Sequence, residues 1–244
     1  MKEVKCIQLW SGPRNISTAM MYSFAQRNDT QVVDEPLYAH YLRVTGLQHP
    51  GREEILQSQE QDGNKVMDEI ISGASDKPVL FCKQMTHHLV NIDLEFLSDT
   101  INILLIRNPK DVLISYAKVI EQPSLSDIGI QQSFELYEFL QSKNYHSLIV
   151  DAAELLKDPE RQLTALCNNA GIGFQPAMLS WKAGARKEDG IWAKHWYNNV
   201  HRSTGFTPFE KEDRELPIHL EKIYADAKPY YDFLYQKSLI GKLP

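Results

Sequence analysis

Apolar positions along the chain switch between short unbroken runs and stripes at helical spacing, which predicts strands interleaved with helices. Val4, Cys6, Ile7, Leu9 and Trp10 form a run suited to a strand covered on both faces, and Ser11, Gly12 and Pro13 break it. An apolar-rich helix follows through Met20, Met21, Phe24 and Ala25, with Ser17 or Thr18 as its N-cap. Thr30 to Val33 reads as a short strand ended by Asp34, Glu35 and Pro36, with a helix behind it over Leu37 to Val44. The polar stretch from Gly46 to Asp76 carries two helices, Arg52 to Glu60 and Asn64 to Ser72, set off by Gly51, Gly63 and Gly73. Val79 to Lys83 is a second buried strand, and the run that starts at Asn102 is a third, ending at Arg107. There Asn108 can cap, Pro109 suits the first helical position and Asp111 adds an acid to the first turn. Ile130, Phe134, Tyr137 and Leu140 mark one long amphipathic helix over Ser126 to Lys143. A strand at Ser147 to Val150, a helix from Pro159 to Ala170 stopped by Gly171, and a tyrosine-rich helical segment from Leu216 to Lys237 complete the series.

Composition narrows the class. A chain of 244 residues with 43% apolar content can bury a large core and fits one α/β domain over residues 1–244. Lys plus Arg total 26 against 32 Asp plus Glu, a formal charge of −6, which argues against binding a nucleic acid polymer through bulk charge. A small anion needs only a few local cations. Cys6, Cys82 and Cys167 are odd in number and lack ligand spacing, so neither a disulfide framework nor a zinc site is indicated. No segment has the ~18 apolar residues of a membrane span, and the N-terminus has no long apolar stretch. The expectation is a soluble, cytoplasmic protein that does not engage a membrane.

The chemistry concentrates where strands give way to helices. The turn Ser11, Gly12, Pro13, Arg14, Asn15, Ile16, Ser17 and Thr18 runs into a helix, so free backbone N–H groups and the positive end of the helix dipole face whatever the turn encloses. A nucleoside-triphosphate loop read from Gly12 would need glycine at position 17 and lysine at position 18, where this chain has serine and threonine. The cation is Arg14 instead, on the entry side. Asp34 and Glu35 read either as paired carboxylates for magnesium or as a plain strand exit, and the missing lysine favours the second. Lys83 at a strand exit beside His87 and His88 supplies a candidate base, with a strand-like exit sending the two rings to opposite sides. Arg107 stands at the carboxyl end of its strand, where open α/β sheets bind ligands, and Ser115 comes from the second turn of the next helix.

Taken in order, these segments resemble sulfotransferases that use 3'-phosphoadenosine 5'-phosphosulfate (PAPS). Arg14 to Thr18 resembles the family's 5'-phosphosulfate loop, with Ile16 where a glycine is usual. Arg107, Pro109, Asp111 and Ser115 match its 3'-phosphate motif, and Lys83, Thr86 and His87 resemble its lysine-threonine-histidine strand end with two extra residues between. Arg186, Lys187, Gly190 and Trp192 resemble the turn that closes over the 3'-phosphate, with Glu188 where glycine is expected, and Ala152 replaces a tyrosine often found near the adenine. The resemblance, closest to a little-characterised subgroup also found fused to aminotransferase-like domains, implies a P-loop-type three-layer α/β fold with a parallel central sheet. It further implies transfer of a sulfuryl group from PAPS, leaving PAP (3',5'-adenosine bisphosphate), to a hydroxyl or amine of a small-molecule acceptor, with no metal. Ser11 to Thr18 would hold the phosphosulfate, and Arg107, Ser115, Arg186 and Lys187 the 3'-phosphate. His87, or His88, would be the base, with Arg14 and Lys83 stabilising developing charge. A magnesium-dependent P-loop kinase and a non-catalytic nucleotide-binding protein are the alternatives. Neither the acceptor nor the oligomeric state is legible.

Overall fold

The computed structural model describes residues 4–72, 75–117, 122–207 and 215–239; Gly73 lies outside them. Strand β1 (Lys5–Ser11) leads through the turn into helix α1 (Ser17–Phe24), followed by β2 (Thr30–Asp34), α2 (Tyr38–Thr45), α3 (Arg52–Ser58) and α4 (Gly63–Ile71). Then come β3 (Val79–Met85), β4 (Ile101–Ile106), α5 (Pro109–Tyr116), α6 (Leu125–Ile128), α7 (Ile130–Ser142) and β5 (Ser147–Asp151). The last elements are α8 (Ala152–Lys157), α9 (Pro159–Asn169), the short α10 (Ala193–Trp196) and α11 (Asn198–His201), and α12 (Glu221–Gln236).

The strands form one parallel sheet in the order β2-β3-β1-β4-β5. Every residue of β3 is buried, as is every residue of β1 after Lys5, which is why these runs lack polar alternation. Successive side chains point to opposite faces. Ile7, Leu9, Ile103, Leu105 and Val150 pack on one face with Met20, Met21 and Phe24 of α1 and with Leu163 and Leu166 of α9. Trp10, Leu104, Ile106 and Ile149 pack on the other with Met67 of α4, Leu136 and Leu140 of α7, and Leu234 of α12. The result is an α/β fold of three layers. No described helix is long and apolar enough to cross a membrane.

Topology places the ligand-binding end. From β1 the chain proceeds toward β2 on one side of the sheet, and from β4 toward β5 on the other. The carboxyl ends of β1 and β4, at Ser11 and Ile106, therefore flank the crevice where such sheets bind ligands.

Three local expectations give way to the structure. The N-cap of α1 is Ile16, in the left-handed region at φ 52° and without a side-chain cap, because the chain enters the helix directly from a tight turn. The long helix after Ser126 is broken at Gly129, whose φ of 73° ends α6 and starts α7. The exit from β3 is one 3-10 turn over Thr86–His88, not an extended segment.

Gly129 is needed for a second reason. A Cβ on it would lie 2.7 Å from the Cα of Gly12, and one on Gly12 would lie 2.3 Å from the Ile128 carbonyl oxygen. Backbone meets backbone, with no side chain that could swing away. Gly129→Ala is expected to lower unfolding stability by about 1 to 3 kcal/mol, read by urea denaturation. Gly173→Ala, where nothing lies within 4 Å of the added methyl, should stay within about 0.5 kcal/mol of wild type.

Candidate active site

The turn after β1 is pinned to β4 from two directions. Asn15, itself buried, donates its side-chain amide to the Leu105 carbonyl, and Arg107 donates from Nη1 to the Arg14 carbonyl at 2.8 Å. Arg14 then donates from Nε to the Ser115 hydroxyl at 3.0 Å. Ser115 is presented by α5, which starts as the sequence predicts, with the Asn108 side chain accepting from the Lys110 N–H and Pro109 at the first position. Arg14, Arg107 and Ser115 thus come together at the crevice between β1 and β4. A small cavity there is lined by Gly12, Asn15, Arg107, Pro109, Gly129 and Ser133.

The turn's backbone is strained and its donors are unspent. Arg14 and Ile16 both have positive φ, at 59° and 52°, and a β-branched residue rarely adopts that region. None of the N–H groups from Arg14 to Thr18 donates to a backbone carbonyl among the described residues. The Asn15 Oδ1 is buried without a partner among the described residues. Ser11 turns its hydroxyl back toward β3, on the Gln84 carbonyl at 3.5 Å.

Lys83 goes elsewhere. It is 1% exposed, and its ammonium donates to Asp34 Oδ1 at 3.0 Å, to the Tyr197 hydroxyl at 2.7 Å and to Glu35 Oε1. An ammonium has three donors, so all are occupied. Burial alone would lower its pKa, but the two carboxylates outweigh that and hold it above the ordinary lysine value. Burial pushes Glu35 up, with Lys83 opposing. The same pairing takes up the Asp34 and Glu35 carboxylates, the candidate magnesium ligands.

His87 and His88 sit in a ring cluster. His88 is fully buried and stacks on Tyr38 and Tyr41, with ring centroids 4.9 and 4.7 Å away, while its Nδ1 has no partner among the described residues. His87 is half-buried and meets Tyr41 edge-on at 5.0 Å. Because the exit is a 3-10 turn, both rings pack against Tyr41 rather than on opposite sides. Burial, with His49 adding to it and Asp127 opposing, lowers the His87 pKa to about 4. Burial, with neighbouring His87 adding to it, lowers the His88 pKa as well.

Arg186 and Lys187 lie in a turn over α1. The Arg186 guanidinium stands 5.4 Å from the Tyr22 ring centroid and its Nε donates to Glu188 at 3.2 Å. Lys187 is largely exposed, 3.9 Å from Glu188. Glu188, in the place of an expected glycine, thus turns onto the two cations. Gly129, Asp189 and Tyr197 escaped the sequence reading. An isolated glycine inside a helical stripe was the available signal for the first, whereas the other two act through partners distant in sequence and leave no local mark.

The family model described as a sulfotransferase domain matches residues 4–238. Two Arabidopsis thaliana proteins named branched-chain-amino-acid aminotransferase-like protein 1 and protein 2 are 41% and 40% identical over 96% and 95% of this chain. The chain spans only 42% and 41% of their lengths. Among solved structures, the sulfotransferase domain of the Synechococcus PCC 7002 olefin synthase aligns with a TM-score of 0.55 at 18% identity, covering 93% of this chain and 95% of that one. The sulfotransferase domain of the curacin biosynthetic pathway aligns with a TM-score of 0.56 at 16% identity, covering 93% and 99%. Both share the fold.

Two outcomes follow from the buried charges. Lys83→Met leaves two buried carboxylates without their counter-charge and is expected to destabilise by about 3 to 5 kcal/mol, measured by denaturant unfolding at neutral pH. His87 titrates near 6.5 in the unfolded chain and near 4 when folded, so between these values the unfolded state binds the extra proton. Its contribution is full above pH 6.5 and is lost as pH falls toward 4. His87→Gln should therefore flatten the slope of stability against pH in that window, which a pH series of urea midpoints would detect.

Proposed function

The chain belongs to the sulfotransferase-domain family, and we propose that it transfers a sulfuryl group from PAPS to a hydroxyl or amine of a small-molecule acceptor. The observation that carries this reading is the joining of two anion-binding motifs at one crevice: Arg107 holds the carbonyl of Arg14, and Arg14 holds the hydroxyl of Ser115. Two arginines on adjoining strand-exit turns suit a polyanion. The unspent N–H groups from Arg14 to Thr18, at the start of an eight-residue helix, add the donors and the dipole that a phosphosulfate needs.

In this reading the turn from Ser11 to Thr18 binds the phosphosulfate, and Arg107, Ser115, Arg186 and Lys187 bind the 3'-phosphate. PAPS supplies the sulfuryl group and leaves as PAP. Arg14 stabilises negative charge as it builds on the bridging oxygen. His87 takes the acceptor's proton: it is neutral at pH 7 because burial holds its pKa down, and it keeps partial exposure that His88 lacks. Lys83 enters indirectly, since its donors are already engaged. The reading concerns this sulfotransferase-like region, not the longer relatives as wholes.

Binding tests the donor. PAP should bind at least about tenfold more tightly than AMP, since one lost charge-assisted bond costs about 1.5 to 3 kcal/mol. Equal affinities by calorimetry would sink the assignment. Arg107→Lys should weaken PAP while the fold survives, because an ammonium cannot reproduce the forked guanidinium contact.

Catalysis tests the base. With an acceptor found by screening labelled PAPS against alcohols, phenols and amines, His87→Ala should lose about 10²- to 10⁴-fold in transfer while PAP affinity stays near wild type. Loss in His88→Ala alone would move the base by one residue.

A further inference from the structure

The segment from Arg186 to His201 has little regular structure beyond the two single turns α10 and α11, yet it carries a proposed phosphate ligand. Its position has to be fixed by side chains. One anchor is Asp189, whose carboxylate accepts from the Tyr22 hydroxyl of α1 at 2.8 Å, from the Arg186 N–H at 2.9 Å and from His201 Nε2 at 3.0 Å. The second anchor is Asp34, at the end of β2. One of its oxygens, Oδ1, takes the Lys83 ammonium at 3.0 Å, while Oδ2 accepts the Gly190 N–H at 3.0 Å and lies 2.8 Å from the Tyr197 hydroxyl.

Tyr197 completes the junction. Its hydroxyl donates to Asp34 and accepts from Lys83 at 2.7 Å and from Trp192 Nε1 at 3.2 Å, which fills a hydroxyl's one donor and two acceptor sites. The group is almost fully buried: Asp34 and Tyr197 are each 5% exposed and Lys83 1%. Burial, reinforced by Asp34 and Glu35, keeps the phenol protonated and able to donate. Gly190 fits the turn because an added Cβ would lie 2.1 Å from the Trp192 ring.

We propose that Asp34 and Tyr197 are positioning residues of the donor site: through Gly190 they lock the turn from Arg186 to Gly190 onto the sheet and so set where Arg186 meets the 3'-phosphate. This rests on the reading above that gives Arg186 to that phosphate. Neither residue touches the ligand. Lys83 is the counter-charge that lets the Asp34 carboxylate be buried at this junction.

Tyr197→Phe keeps the ring and removes the hydroxyl; Asp34→Asn keeps the shape and removes the charge. In the ligand-free full chain, amide hydrogen exchange of a peptide spanning residues 186–190 should rise about tenfold or more in Tyr197→Phe. PAP affinity should fall about tenfold with AMP affinity unchanged. Unchanged exchange, faster exchange with unchanged PAP affinity, or equal losses for PAP and AMP would each overturn the proposal. If Asp34→Asn does not fold, Tyr197→Phe decides alone. Wild-type protein that binds PAP and AMP equally would instead reject the phosphate assignment of Arg186, and the exchange result would then decide whether the lock exists.

Discussion

The site depends on the hydrogen bond from the Arg107 guanidinium to the carbonyl of Arg14. It joins the exit turns of two neighbouring parallel strands, and without it the turn after β1 has little reason to hold two residues in the left-handed region. Such conformations cost about 1 to 3 kcal/mol each and persist only where the surroundings over-determine them. Here the surroundings are identifiable: Arg107 and Asn15 tie the turn to β4, and the Gly12 and Gly129 backbones press together behind it. In this conformation the N–H groups from Arg14 to Thr18 find no backbone carbonyl among the described residues. Ile16 occupies a conformation that suits glycine, with its side chain packed against the core beside α1.

A second constraint acts at the opposite side of β1. Three ionisable groups of β2, β3 and the turn between β2 and α2 are buried together, with a tyrosine from a distant segment as their fourth member. Replacing such a cluster with apolar groups is often neutral or stabilising, so its presence is weak evidence for stability. Its directional bonds offer something apolar packing does not, a defined attachment for a segment that has almost no secondary structure of its own.

Much of the architecture was legible because its causes are local. The end of β4 and the start of α5 are encoded by Arg107, Asn108 and Pro109 within a few residues, and the structure has the cap where those residues put it. The buried strands announced themselves as unbroken apolar runs. The pairing of Arg14 with Ser115 was not legible, since the two residues lie on different elements and belong to separate motifs. Features set by distant partners were not legible. Lys83 beside two histidines looked like part of one reactive stretch, but the lysine finds its partners in Asp34, Glu35 and Tyr197 while the histidines find theirs in Tyr38 and Tyr41. The break at Gly129 was hidden inside a convincing amphipathic stripe, and its reason lies in Gly12.

The central place of β1 has a kinetic consequence. It precedes the other strands in the chain, yet both of its neighbours, β3 and β4, come much later. During synthesis it leaves the ribosome as an apolar segment that cannot pair until Val79–Met85 and Ile101–Ile106 have followed. Contacts so distant in sequence are slow to close. The turn after β1 is therefore made before the strands that hold it in place, and a nascent chain spends that interval with its future core strand exposed to chaperones and to other chains.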